Sequence, residues 1–573
     1  MVEVLLSWIF IGITSYVIGS EVLRLLIKLL AHGETDIDIP VSHPQVLRCL
    51  TGLCTVNVMA EIISIFGGIG MWADYLTAFV CLLIVFLDRE FFAKNMDIHA
   101  FTKKHPIKSV VYLCLVLLMS YGTSRGYMHF DTNLYHAQAI HWIEDYGVVP
   151  GLANIQSRFG YNSAEFALNA FYGFKWLLGR SLHTSAGFFA LLSTFVAAGI
   201  TGAFKEENNG KRIIPRISDF VRIGLIFYLG LIYSEMISPA SDYYAQLMLF
   251  DLIIIWFDLF RIKNDEVMST DISPVQGILC ILLVYAVTIK LSLAPLVLLA
   301  LIPGIKWIRN KNIKSILTCL ISGLVISVPY FIRGHIISGW ILYPATFIGF
   351  GSPDWQVPKG MAQYDAREIG MWGRGITRAE EWDSVTAFNW IPGYLNGLSF
   401  MEKAWLLATL ISAVIIIVMA TACILRKKDT DNSQFFALAT VLCIGAVTWF
   451  LKAPLIRYGY VYIIMIPLMV IGFAFKDRKV YVPVFIVILA GLSLLKAKGL
   501  VGDIIRTAGM EYYVNQQDYI DGDAFAYKVG GIDFYVAEDA GQIGYYKFPS
   551  TVEERHDFGL RGEELSDGFY HIN

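Results

Sequence analysis

The chain has 573 residues, of which 56% are hydrophobic and 16% charged, with a net charge of −3 and a mean hydropathy of +0.56. Ordinary soluble proteins carry about 25% charged residues, so a soluble globular protein is excluded, and nothing in the charge balance suggests a nucleic-acid partner. Apolar runs near twenty residues recur, each long enough as helix to cross a hydrocarbon core of about 30 Å, and they lack the period-2 alternation of a membrane β-barrel.

In chain order the expected spans are Val4 to Leu30, Val46 to Ile69, Ala73 to Leu87, Ile107 to Tyr121, Ser185 to Phe204, Phe220 to Ser234, Tyr244 to Phe260, Gly277 to Ile289, Leu291 to Ile305 and Ser315 to Ile332. Four more follow a long gap: Lys403 to Leu425, Phe435 to Leu451, Tyr458 to Phe475 and Val480 to Leu495. This gives an all-α polytopic membrane protein with about 14 transmembrane helices. Only Lys290 and Ser292 divide the pair between Gly277 and Ile305. Leu5 to Leu30 is too long for a signal-peptide core and no small-residue cleavage site follows it. All eight cysteines lie in or beside apolar runs, which points to neither a disulfide framework nor a zinc site.

Short loops rich in Lys and Arg stay cytoplasmic. Such loops precede Ser109 and begin at Lys205, Arg261, Lys306, Arg426 and Lys476. They alternate correctly if the acidic loop from Ala31 to Pro44 is also inside and if Ala164 to Leu178 does not cross. The chain then divides into N-terminal helices (1–122), an extracytoplasmic loop with in-plane helices (123–184), further spans (185–332), an outer Trp-rich loop (333–402), the last spans (403–497) and a small extracytoplasmic α+β tail (498–573). The outer loop carries Trp340, Trp355, Trp372, Trp382 and Trp390, and a loop of that length is expected to act as a lid or binding element.

The most chemical stretch runs from His129 to Ser163. Asp131 and Thr132 are suited to cap a helix, and Asp131, Tyr135, Gln138 and Trp142 fall on one helical stripe that could line a wet cleft. The plainer reading is a capped amphipathic helix in the headgroup region, anchored by Trp and Tyr. Within the spans, Glu61 needs a partner, because a charge there costs about 2.5–3.5 kcal/mol; a helix–helix hydrogen bond is the expected solution. Asp242, Lys290, Arg457 and Tyr458 all fall on the same outer face as Asp131 and His136. A carboxylate beside cations at a lipid–water boundary suits group transfer from a lipid-linked donor: the carboxylate accepts a proton, the cations balance a departing phosphate, and aromatic faces hold sugar rings.

The string Asp131-Thr-Asn-Leu-Tyr135-His136, then Trp142, Gly147-Val-Val-Pro150-Gly151, Arg158 and Asn162-Ser163, with SPASD, TIKLS, ISGWILYP, DWQVPKG and LRGEELSDGF further on, resembles the GT-C superfamily of membrane glycosyltransferases. More narrowly it looks like an uncharacterised group of bacterial membrane proteins related to them. The resemblance implies a GT-C-like fold and transfer of a sugar from a polyprenyl-phosphate donor to an extracytoplasmic glycan, lipid or protein acceptor, on the outer face of a bacterial plasma membrane. Asp131 would be the catalytic base and Asp242 a second acid for acceptor or metal. A divalent cation, Mg or Mn, would then have Asp131 and Asp242 as candidate ligands. Lys290 and Arg457 would contact phosphate, and Tyr135, His136, Trp142, Arg158 and Tyr458 complete the candidate substrate-binding set. Two departures stand out: Thr132 occupies the place where many relatives have a second acid, and more spans precede the catalytic loop than the one many relatives have. The alternatives are an O-antigen-type polymerase or ligase, leaning on outer-loop arginines, and a lipid-linked sugar flippase or transporter, marked by buried ionisable pairs.

Overall fold

In a computed structural model the described residues are all except 32–42, 96–97, 201–211, 214, 265–270, 427–431, 477–479, 482–490, 492–498, 539–540 and 573. Among them nine helices are long and apolar enough to cross a membrane: Val2–Leu30, Pro44–Phe66, Pro106–Ser124, Ile217–Glu235, Leu291–Arg309, Ile313–Ser338, Phe400–Cys423, Ser433–Lys452 and Ile456–Phe475. Met71–Leu87, Ser185–Ala198 and Ser273–Ile289 are shorter apolar helices, and Ser241–Asn264 is a long one that carries Asp242, Asp251 and Asp258. The chain is thus a mostly helical, multi-pass membrane protein. The expected span from Val480 to Leu495, and most of the loops from Ala31, Lys205 and Arg426, lie outside the described residues.

The first two helices touch through glycine. A Cβ on Gly19 would lie 1.9 Å from the Arg48 carbonyl oxygen, and one on Gly52 1.8 Å from that of Ser15, so only the bare backbone allows this approach. The division expected at Lys290 is real: that residue is extended, the preceding helix ends at Ile289, and a 3-10 stretch Leu291–Ala300 containing Pro295 follows. Ile313–Ser338 runs six residues beyond the expected end at Ile332, until Gly339 closes it in the left-handed conformation that suits glycine. Arg333, expected to open the outer loop, therefore lies inside a helix and is buried.

The segment expected to lie in the headgroup plane is instead interior. A π-helical turn Thr132–His136 leads into Ala137–Asp145, whose residues from Ala137 to Glu144 are all buried. Two 3-10 turns, Leu152–Asn154 and Ser157–Tyr161, lead to the buried helix Ala164–Phe171 and the short Lys175–Leu178. Eight helical residues span about 12 Å, too little to cross a bilayer. The C-terminal tail covers the first part of this segment, at Gln138, Trp142 and Ile155, while Ala164–Phe171 packs against Pro44–Phe66 and Ala137–Asp145. The tail folds as a hairpin, Ala524–Val529 with Ile532–Ala537, extended by Ser550–Thr551, and a second pair, Phe558–Leu560 with Phe569–His571. Phe534, Phe558 and Phe569 belong to the same core as Trp142 and the helices.

Hydrogen bonds fix the tail in place. The Gln138 side chain donates to the carbonyls of Gly544, Tyr545 and Lys547 at 3.1–3.3 Å. The Arg555 guanidinium reaches the Ile155 carbonyl at 2.8 Å, and the Phe569 amide donates to the Pro150 carbonyl at 2.9 Å. Ser181 at 2.5 Å and the Tyr545 hydroxyl both donate to the buried Glu144 carboxyl. The N-terminal ammonium meets the Tyr512 carbonyl at 2.9 Å. The N-terminus, the 132–178 segment and the tail therefore share one end of the helix bundle.

The Trp-rich loop, expected without regular structure, contains the hairpin Trp340–Leu342 with Ala345–Gly349 and the helices Lys359–Gly373 and Ile391–Gly397. It is pinned at several points. Ser157 and Tyr161 both donate to Asp365 at 3.0 Å, Asn154 donates to the Trp355 carbonyl at 2.9 Å, and the Tyr394 hydroxyl donates to the Pro454 carbonyl at 2.7 Å.

Candidate functional site

Three helix ends meet at the covered end of the bundle: the start of Ser241–Asn264, the end of Ser273–Ile289 and the start of Ile456–Phe475. They bring Asp242, Lys290 and Arg457 against Asp131, which directly precedes the π-helical turn. Arg457 is the hub. Its Nη2 donates to Asp131 Oδ2 at 2.5 Å, its Nε lies 3.7 Å from Asp242 Oδ2, and its Nη2 is 3.3 Å from the Tyr458 hydroxyl. Lys290 pairs with the Asp242 carboxylate and holds its ammonium 3.9 Å from the centre of the Tyr458 ring. Gln246 sets the start of the last of these helices: it donates to the Arg457 carbonyl at 2.5 Å and accepts from the Val461 amide at 3.1 Å.

His129 joins the cluster. Its amide donates to Ser238 at 2.7 Å, its Nδ1 accepts from the Asp131 amide at 3.1 Å, and its Nε2 meets Arg457. Burial and the Arg457 charge depress its basicity, so the ring stays neutral. A neutral imidazole accepts at one nitrogen only, so the two contacts cannot both be full hydrogen bonds. That leaves the guanidinium less firmly held on this side. Burial alone would raise the Asp131 carboxyl, but Arg457 foremost outweighs it and the net shift is downward. Asp131 is therefore ionised, and it makes no helix-capping bond: its carboxylate is committed to Arg457 instead.

Five expected site residues thus come together: Asp131, Asp242, Lys290, Arg457 and Tyr458. Tyr135 and His136 lie behind them, packed ring to ring at 4.4 Å and against Phe166. Burial pushes His136 down to about 3, so it too is a neutral ring. Arg158 stands to one side, 4.0 Å from Glu368 and over the Trp372 ring. Trp142 does not belong to the site. It is wholly buried against Tyr146, Phe548 and Phe569, because the face of its helix that was expected to line a cleft is the face the tail covers.

The two carboxylates considered for a divalent cation are bridged by a guanidinium, with Lys290 on the second. Among the described residues no group of three or more His, Cys, Asp or Glu side chains is placed to hold a metal ion. The donor set here fits cation-for-metal substitution better than metal binding, since positive charge already fills the gap between the acids.

Glu61 makes the helix–helix hydrogen bond expected of it, between Pro44–Phe66 and Ile313–Ser338. Its partner is a charge, the Arg333 guanidinium at 3.1 Å, with both side chains 1% exposed. Sequence reasoning missed this pair because Arg333 looked like a loop residue. It also passed over His129, though that residue stands two positions before Asp131, and over Gln246, one helical turn after Asp242.

No curated protein and no solved structure matches the chain. One family model matches residues 1–464, a stretch that takes in Asp131, Asp242, Lys290, Arg457 and Tyr458 and ends before the tail. The chain therefore belongs to the family described as a domain of unknown function, DUF8201.

Proposed function

We propose that the protein is a membrane glycosyltransferase of GT-C type that takes its sugar from a polyprenyl-phosphate donor, with Asp131 as general base. The observation that carries this reading is the Asp131–Arg457–Asp242–Lys290 cluster at one end of a helix bundle. An acceptor hydroxyl attacks the anomeric carbon of the donor sugar and a new C–O bond forms. The bond from that carbon to the phosphate oxygen breaks, and polyprenyl phosphate leaves with the electron pair. Asp131 takes the hydroxyl proton, and Arg457 and Lys290 balance the charge gathering on the phosphate.

In the resting arrangement both cations are occupied by carboxylates. A bound phosphate competes with Asp131 for Arg457, and the carboxylate it displaces becomes free to accept a proton. An apolar groove of about 370 Å³ supports a lipid-borne donor. Leu118, Met119, Ala197, Phe227, Tyr233 and Met236 are among its lining residues. Beside Met236, Glu235 receives the Tyr243 hydroxyl, and the Tyr243 ring stands 6.4 Å from His129. An isoprenoid chain lying in the groove would thus end near the ionic cluster.

Two of the outer-loop arginines that a polymerase would use are engaged elsewhere: Arg367 pairs with Asp383 at 2.6 Å, and Arg374 donates to the carbonyls of Gly370 and Leu451. A transporter without chemistry is favoured by one observation, the buried Glu61–Arg333 pair. The test is transfer of radiolabelled sugar from a panel of polyprenyl-phosphate hexoses by the purified full chain in proteoliposomes. The glycosyltransferase reading expects product from at least one donor and none from Asp131→Asn. Donor translocation without product would replace it with the transporter.

A further inference from the structure

Of the five tryptophans in the 333–402 loop, four are spent on structure. Trp382 and Trp390 are buried, and the indole N–H groups of Trp340 and Trp355 donate to the carbonyls of Val357 and His335. Trp372 is the exception. It is 43% exposed, on the helix Lys359–Gly373 that Asp365 ties to Ser157 and Tyr161. The Arg158 guanidinium stands 5.3 Å from its ring centre. Glu368, one turn before Trp372, approaches Arg158 only to 4.0 Å, beyond hydrogen-bond reach. Among the described residues Arg158 makes no hydrogen bond, although a guanidinium carries five donors.

Resting on the reading above, we infer that Trp372, Arg158 and Glu368 form a subsite for a neutral sugar ring of the acceptor. The apolar C–H face of a pyranose stacks on the free side of an indole. Its vicinal hydroxyls both accept and donate, which matches an unspent guanidinium beside an unspent carboxylate. An anionic group would meet Glu368 and Asp365 as like charges, so the pair selects against phosphate. Arg158 and Asp131 lie close enough for each to act on the other's charge. The long loop contributes to specificity through this one helix.

Saturation-transfer NMR on the full chain in nanodiscs, with the methyl glycosides of glucose, galactose, mannose and N-acetylglucosamine as probes, tests the assignment. At least one glycoside is expected to show enhancement at its ring C–H protons. Trp372→Ala and Arg158→Gln are expected to reduce it at least fivefold, and Trp372→Phe to keep most of it. An absence of signal from all four probes overturns the subsite, and so does a signal that survives Trp372→Ala. The result is independent of transfer: ring binding without any turnover leaves the subsite standing and fails the glycosyltransferase reading. Turnover whose acceptor KM ignores Trp372→Ala and Arg158→Gln does the reverse.

Discussion

Two pairs of opposite charge sit at similar distances in this protein and differ in what can reach them. Glu61 and Arg333 close at 3.1 Å with 1% of each side chain exposed. Arg457 and Asp131 close at 2.5 Å but remain 31% and 16% exposed. The first pair satisfies two helices that would otherwise carry lone charges through the apolar interior. In the second, Arg457 has three contacts besides Asp131, to Asp242, His129 and Tyr458, and in the proposed mechanism it exchanges Asp131 for an incoming phosphate. Proximity of opposite charges is thus common to scaffold and site; access and surplus partners separate them.

The sharpest break in this comparison comes from Asp131→Asn. A general base contributes about 10²- to 10⁴-fold to rate, so turnover should fall by that factor while thermal stability in detergent stays near wild type. The converse substitution, Arg333→Met, should lower stability by about 3–5 kcal/mol, because it strands a buried carboxylate. Turnover per folded molecule should hardly change, and adding Glu61→Gln should restore most of the stability. If Arg333→Met stops turnover in folded protein, the inner pair is part of the working machinery after all.

Acidity sharpens the contrast between Asp131 and Glu144. Asp131 is held below the ordinary carboxylate range, so the acid limb of a kcat/KM profile, which reports the free enzyme, should begin below that range too. Glu144, beneath the tail, is pushed up by burial to about 7, with Ser181, Tyr545, Lys175 and His141 opposing the shift. Its folded value lies above its unfolded one of 4.5. The stability it contributes is fully present below that unfolded value and is lost as pH rises through about 7. Proteolysis of the tail should accordingly be faster at about pH 8 than at about pH 5. Asp145, which pairs with Lys175 at 2.6 Å and His141 at 3.0 Å, remains in Glu144→Gln, so loss of the pH difference in that variant assigns the effect to Glu144. The smallest effect is expected from Tyr545→Phe, which removes one hydrogen bond to Glu144; about 0.5–1.5 kcal/mol of tail docking should be lost, measured by the same proteolysis.

Hydropathy made the helices legible, and the break at Lys290 was readable from two polar residues. The outer-face alternation of basic loops also placed Asp131, Asp242, Lys290, Arg457 and Tyr458 on one side, where the structure brings them into contact. What could not be read lies in contacts across hundreds of residues. Trp142 looks like an interfacial anchor until Phe548 and Phe569 cover it. The partner of Glu61 sits 272 positions away, at the point where a helix runs on until Gly339 stops it. Local patterning has no term for a tail that folds back onto its own first large loop.

In the proposed mechanism the part-exposed cluster of Asp131, Asp242, Lys290 and Arg457 receives a lipid phosphate. Cryo-electron microscopy of the full chain in nanodiscs with a polyprenyl phosphate tests it most directly. Phosphate density is expected within hydrogen-bond reach of Arg457 or Lys290, with the isoprenoid along Leu118, Phe227 and Met236 and Asp131 separated from Arg457. Phosphate bound elsewhere, with Arg457 still closed on Asp131, would contradict it.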